Sequence, residues 1–146
     1  MKKKYLILGA SGFIGKNLVK HFISKKDKNI ELYGTYFNSD SKFFKGIKMI
    51  KADLTIKDQV FDVMQDMNVV IQAAAVTSGA NDVINNPVSH ITDNAIMNSL
   101  IFRAAYEFDI SHLIFFSCSV MYQSSSKPIK EDDFDANKEM YSKYFG

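Results

Sequence analysis

The chain has 146 residues, 47% of them hydrophobic, 23% charged and 13% aromatic, with a formal net charge of +2. That length suits one domain able to bury about two-thirds of its unfolded surface, and the composition excludes a disordered chain. So small a charge gives no reason to expect a nucleic-acid partner, no segment approaches membrane-spanning length, and no secretory apolar region follows Lys2-Lys3-Lys4, so a cytoplasmic protein without a membrane partner is expected.

The first predicted element is a strand over the apolar run Tyr5-Leu6-Ile7-Leu8, followed by the turn Gly9-Ala10-Ser11-Gly12-Phe13-Ile14-Gly15. Phe13, Ile14, Leu18, Val19, Phe22 and Ile23 then recur at helical spacing, which predicts an amphipathic helix with that set facing the core. Further strands are predicted at Ile30 to Phe37, Ile47 to Ile50, Asn68 to Ala74 and His112 to Ser117. Helices are predicted between them, over Gln59 to Met67 and over Ser89 to Phe108, the latter with Ile91, Ala95, Ile96, Leu100, Ile101 and Ala104 on its core side. Gln123 through Pro128 into Glu131-Asp132-Asp133 reads as a surface loop.

Strands alternating with helices imply right-handed crossovers. The expected fold class is therefore α/β: a Rossmann-type, doubly wound parallel sheet in the order 3-2-1-4-5, sandwiched as three α/β/α layers with its ligand crevice at the strand C-terminal ends.

The glycine turn carries the chemistry. Glycines let the backbone leave a strand sharply and approach a phosphate closely, while the free N–H groups and positive dipole end of the next helix attract the anion. The turn is thus a seat for a dinucleotide diphosphate, with Gly9, Ser11, Gly12, Phe13, Ile14 and Gly15 as its candidate residues. Metal chemistry is not expected. Cys118 is the only cysteine, and His21, His90 and His112 have no second ligand at metal-binding spacing.

The G-x-x-G-x-x-G spacing, with Ser11 where a G-x-G-x-x-G fingerprint has its second glycine, resembles the extended short-chain dehydrogenase/reductase family of nucleotide-sugar epimerases, dehydratases and reductases. Tyr36-Phe37-Asn38-Ser39 stands where a carboxylate grips the adenosine ribose in NAD-binding relatives of the fold. Without that acid, and with donors from Asn38, Ser39, Lys42 and Lys45, NADP is the preferred cofactor and NAD the alternative, to which Asp40 would contribute. Asp53-Leu54 resembles the family's adenine-contacting pair, although Asp53 or Thr55 could equally cap a helix. Ala73-Ala74-Ala75 is similar to the family's small-residue stretch under the cofactor, or is simply tight packing, and Asn94 matches an asparagine that braces the neighbouring strand.

Ser117-Cys118-Ser119-Val120-Met121-Tyr122 resembles the family's Ser-Ser-x-x-Val-Tyr-Gly segment. A thiol, Cys118, falls where the family has a hydroxyl four residues before the tyrosine, and Gln123 replaces its glycine. A thiol is a weak donor, so either Ser117 or Ser119 takes the role or the activity is altered. The resemblance also implies a proton-carrying tyrosine with a lysine four positions on. Tyr141 is followed there by Phe145, and Tyr144 is the remaining candidate. The chain is accordingly expected to be the cofactor-binding portion of a longer enzyme whose substrate is a nucleotide-sugar. Self-association through the fifth strand, which lacks an outer neighbour, is also expected.

Overall fold

The computed structural model describes residues 2–38, 45–76, 85, 87–117 and 121–138. Its elements in chain order are β1 (Lys3–Leu8), α1 (Phe13–Lys25), β2 (Ile30–Tyr36), β3 (Lys48–Lys51), α2 (Lys57–Met64), β4 (Val69–Gln72), α3 (Pro87–Glu107) and β5 (His112–Phe115), with a 3-10 turn at Glu131–Asp133. Every strand pair is parallel, and the five strands lie in the order β3-β2-β1-β4-β5. The expected sheet is therefore present, with β2, β4 and β5 ending one or two residues earlier than expected, β1 ending at Leu8 as expected and β3 ending one residue later.

Side-chain alternation along the strands divides the core in two. Leu6 and Leu8 of β1 and Val70 of β4 pack with Val60, Val63 and Met64 of α2 and with Met97, Ile101 and Ala104 of α3. Ile7, Leu32 and Ile71 face the other way, onto Val19 of α1. Each fully buried aliphatic side chain contributes about 1.5–3 kcal/mol relative to exposure. Helices thus cover both faces of the sheet.

Two helices seat themselves on fewer residues than their periodicity suggests. In α1 only Val19 and Gly15 are buried, whereas Phe13, Ile14 and Ile23 are exposed. Gly15 is what lets α1 come so close, since a Cβ there would collide with the Gly9 carbonyl oxygen and sit 2.6 Å from Ala10 Cα. In α3 the buried stripe is Met97, Ile101 and Ala104, with Leu100 half-buried, while Ile91, Ala95 and Ile96 face outward. This helix is apolar around most of its circumference, so periodicity could not choose the buried side. At the sheet margin Leu113 joins the core, Phe115 stacks edge-on against Phe102 of α3 with ring centroids 5.3 Å apart, and Ile114 and Phe116 are exposed. Among the described residues, no helix is long and apolar enough to cross a membrane.

Candidate functional site

A cavity of about 530 Å³ opens at the C-terminal ends of β1 to β4. Its walls are the glycine turn with Phe13 and Ile14, the end of β2 from Thr35 to Asn38, Ala52 to Thr55 after β3, Ala73 to Val76 after β4, and Asp93 and Met97 of α3. A second cavity of about 620 Å³ lies at the other end of the sheet, beside Phe22, Lys25, Ile30 and Gly46. That one lacks the convergence of strand ends and the glycine turn, so the crevice is the candidate site.

The turn is built from the backbone outward. Gly9 takes φ +73°, its amide donates to Thr35 Oγ1 at 2.9 Å, and its carbonyl oxygen accepts from the Gly12 amide at 2.9 Å. A Cβ on Gly9 would stand 2.6 Å from Ala74 Cα, so the turn and the segment after β4 touch backbone to backbone. Gly12 then caps α1, and no side chain caps or neutralises that helix's first turn. Its N–H groups and dipole face the cavity mouth. None of the described lining residues is lysine or arginine, and Asp53 and Asp93 are present, so attraction for an anion comes from the main chain.

Asp53 is folded into its own turn. Its Oδ1 accepts from the Thr55 amide at 3.0 Å and the Thr55 hydroxyl at 2.7 Å, and its amide donates to Gln59 Oε1 at 2.7 Å. Neither Asp53 nor Thr55 is a helix cap, because α2 begins after Ile56 without a side-chain cap. The segment after β4 is held by two side-chain amides. Gln72, 3% exposed, bonds both polar groups of Ala74 and the Asn98 oxygen, and Asn94 bonds both polar groups of Val76. Asn94 therefore braces the chain leaving β4.

The structure gathers Gly9, Ser11, Gly12, Phe13, Ile14, Asn38, Asp53, Leu54, Ala73, Ala74 and Ala75 around one cavity. Gly15 sits beneath the turn, and Lys45 does not line the cavity. Ser39, Asp40 and Lys42 lie outside the described residues, as do Cys118, Ser119, Tyr141 and Tyr144. Ser117 is exposed beyond β5 and donates to the Met121 sulfur at 3.1 Å, away from the cavity wall. Tyr122 stacks on Phe134, and Gln123 donates to the Asp133 carbonyl at 2.9 Å, closing the loop onto the 3-10 turn. Sequence reasoning missed Thr35, Ala52, Val76, Asp93 and Met97 in the wall, and the buried Gln72 behind it. Only Thr35 and Gln72 carried a signal, as polar residues inside apolar strands.

The crevice suits the diphosphate of a dinucleotide because the uncapped first turn of α1, free of acidic residues, opens on it beside the bare backbone of the glycine turn. Comparison with known proteins agrees. The model of the NAD dependent epimerase/dehydratase family matches residues 5–144. GDP-L-colitose synthase of Yersinia pseudotuberculosis is 30% identical over 121 residues, covering 82% of this chain and 34% of that protein. UDP-glucose 4-epimerase from Bifidobacterium longum, solved with NAD+ and UDP, has a TM-score of 0.77 at 17% identity, over 89% of this chain and 42% of its own. GDP-mannoheptose C4 reductase from Campylobacter jejuni, solved with NADP, has a TM-score of 0.74 at 17% identity, over 97% and 38%. At such identities the two structures share the fold. The chain spans 34% to 44% of the length of the curated relatives it matches. With nearly every residue inside the family model, the chain belongs to the NAD-dependent epimerase/dehydratase family.

Proposed function

We propose that this chain is the dinucleotide-binding portion of a nucleotide-sugar epimerase or reductase that works by hydride transfer at a keto-sugar. The observation that carries the reading is the Gly9 turn running into the uncapped first turn of α1 in the wall of a cavity of about 530 Å³. In this reading the main chain from Gly9 to Gly12 and the N-terminus of α1 hold the diphosphate. Phe37 and Leu54 flank the adenine side, and Ala73 to Ala75 leave room for ribose and phosphate. The nicotinamide, when bound, accepts or donates the hydride.

NADP is the preferred dinucleotide, supported by Phe37 and Asn38 in place of an acid at the end of β2. The substrate class rests on relatives that handle UDP- and GDP-linked sugars. A second reading, a dinucleotide-binding module without catalysis, is favoured by Cys118 standing four residues before Tyr122. Titration of the chain with NADPH and NADH by calorimetry tests the proposal. Saturable one-site binding is expected, and no heat from either dinucleotide would end it.

A further inference from the structure

Beyond Gln72 the chain leaves the sheet. The Ala73 amide still donates to the Leu8 carbonyl at 3.1 Å, the last rung of that ladder, and Ala74 to Val76 then run along the cavity. In place of a strand they meet carboxamides. The Ala74 amide donates to Gln72 Oε1 at 3.2 Å, and Gln72 Nε2 donates to the Ala74 carbonyl at 3.1 Å and to Asn98 Oδ1 at 2.9 Å. Two residues on, the Val76 amide donates to Asn94 Oδ1 at 3.0 Å and Asn94 Nδ2 donates to the Val76 carbonyl at 2.9 Å. A primary amide presents one donor face and one acceptor, as a peptide group does. Gln72 and Asn94 thus serve alternate residues, 74 and 76, as a neighbouring strand would.

We infer that Gln72, anchored to α3 through Asn98, is a positioning residue that sets the height of Ala74 against Gly9 and so shapes the floor under the dinucleotide. The inference rests on the cofactor reading above. Its physical basis is a buried group with both functions in use: Gln72 is 3% exposed, and Ala74 Cα stands 2.6 Å from where a Gly9 Cβ would be, so Ala74 has no slack toward the turn. Losing the Gln72 donor leaves the Ala74 carbonyl unpaired, which the segment relieves by moving.

The test is dinucleotide titration from pH 5 to pH 8 with amide hydrogen exchange at Ala74, on wild type, Gln72→Glu, Asn98→Leu and Asn98→Asp. In Gln72→Glu the carboxyl is buried against a carbonyl oxygen, which raises its pKa, so at low pH the single O–H of the neutral acid donates to the Ala74 carbonyl in place of the amide, and that donor disappears as pH rises. Binding near the wild-type level at pH 5 and about tenfold weaker at pH 8 is expected, with wild type flat. Asn98→Leu removes the anchor and is expected to weaken binding about threefold and speed exchange at Ala74, whereas Asn98→Asp keeps the acceptor and restores both. The asparagine pair keeps the test valid if Gln72→Glu does not fold. Variants that bind with the wild-type affinity and pH profile overturn the positioning role. Wild type that binds no dinucleotide overturns the cofactor reading instead, a separate outcome, and unchanged exchange at Ala74 in Asn98→Leu then rejects the anchor as well.

Discussion

The Gly9 amide donates to the Thr35 hydroxyl at 2.9 Å across 26 residues of sequence, tying the glycine turn of β1 to the buried end of β2. Thr35 is 1% exposed, so the bond lies where water cannot replace it. Thr35→Val keeps the shape and removes the acceptor. A loss of about 1–3 kcal/mol is expected in urea denaturation, with Thr35→Ser retaining most of the stability.

Gly9→Ala places a methyl group in a left-handed backbone and into Ala74 at once. A cost of at least about 2 kcal/mol is expected from the two effects together. Dinucleotide affinity falls with it, and thermal unfolding with and without NADPH reads both.

Asn38→Asp introduces a carboxylate where β2 enters the crevice. It is expected to repel a 2′-phosphate and accept from a 2′-hydroxyl, shifting the NADPH-to-NADH affinity ratio about tenfold toward NADH. Paired calorimetric titrations of both dinucleotides check this.

On β3, the Lys48 ammonium lies 2.5 Å from Glu31 of β2 and also reaches the Tyr33 hydroxyl. The hydrogen bond from Lys48 holds the Glu31 carboxyl below its ordinary pKa, and the same bond holds Lys48 above its own. The carboxylate's contribution is present above the unfolded-state pKa of Glu31 and is lost as pH falls through the depressed folded value. The ammonium's contribution is present below its unfolded-state pKa and is lost as pH rises through the raised folded value. The melting-temperature gap between wild type and Glu31→Gln should therefore be open near neutrality, close at both extremes and shrink with added salt, because Lys48 is exposed and Glu31 only half-buried.

Among the described residues β5 has a partner only on its β4 side, and Ile114 and Phe116 are exposed beside that edge. Concentration-dependent self-association is expected in sedimentation velocity. Ile114→Lys, which places a charge at the edge, is expected to reduce it.

Much of this architecture was legible because it is local. Alternation, helical spacing and the Gly9 turn each need only a few neighbouring residues, and connection handedness leaves few sheet orders, of which the Rossmann order goes with a glycine turn after the first strand. The buried side of α3 was not legible, since Ile91 and Ile96 are as apolar as Met97 and Ile101, and only the sheet decides which face is covered. The bond from Gly9 to Thr35 and that from Gln72 to Asn98 each join residues 26 apart, which no periodicity encodes. Neither was visible before folding.

A crevice whose anion-facing wall is peptide rather than side chain has no rotamers to surrender when a guest arrives. The ordering penalty then falls on the guest, which must give up its own torsional freedom to lie along a surface already in its final shape. Swapping side chains around such a wall adjusts its edges, whereas adding or deleting one residue between Leu8 and Phe13 would rebuild it.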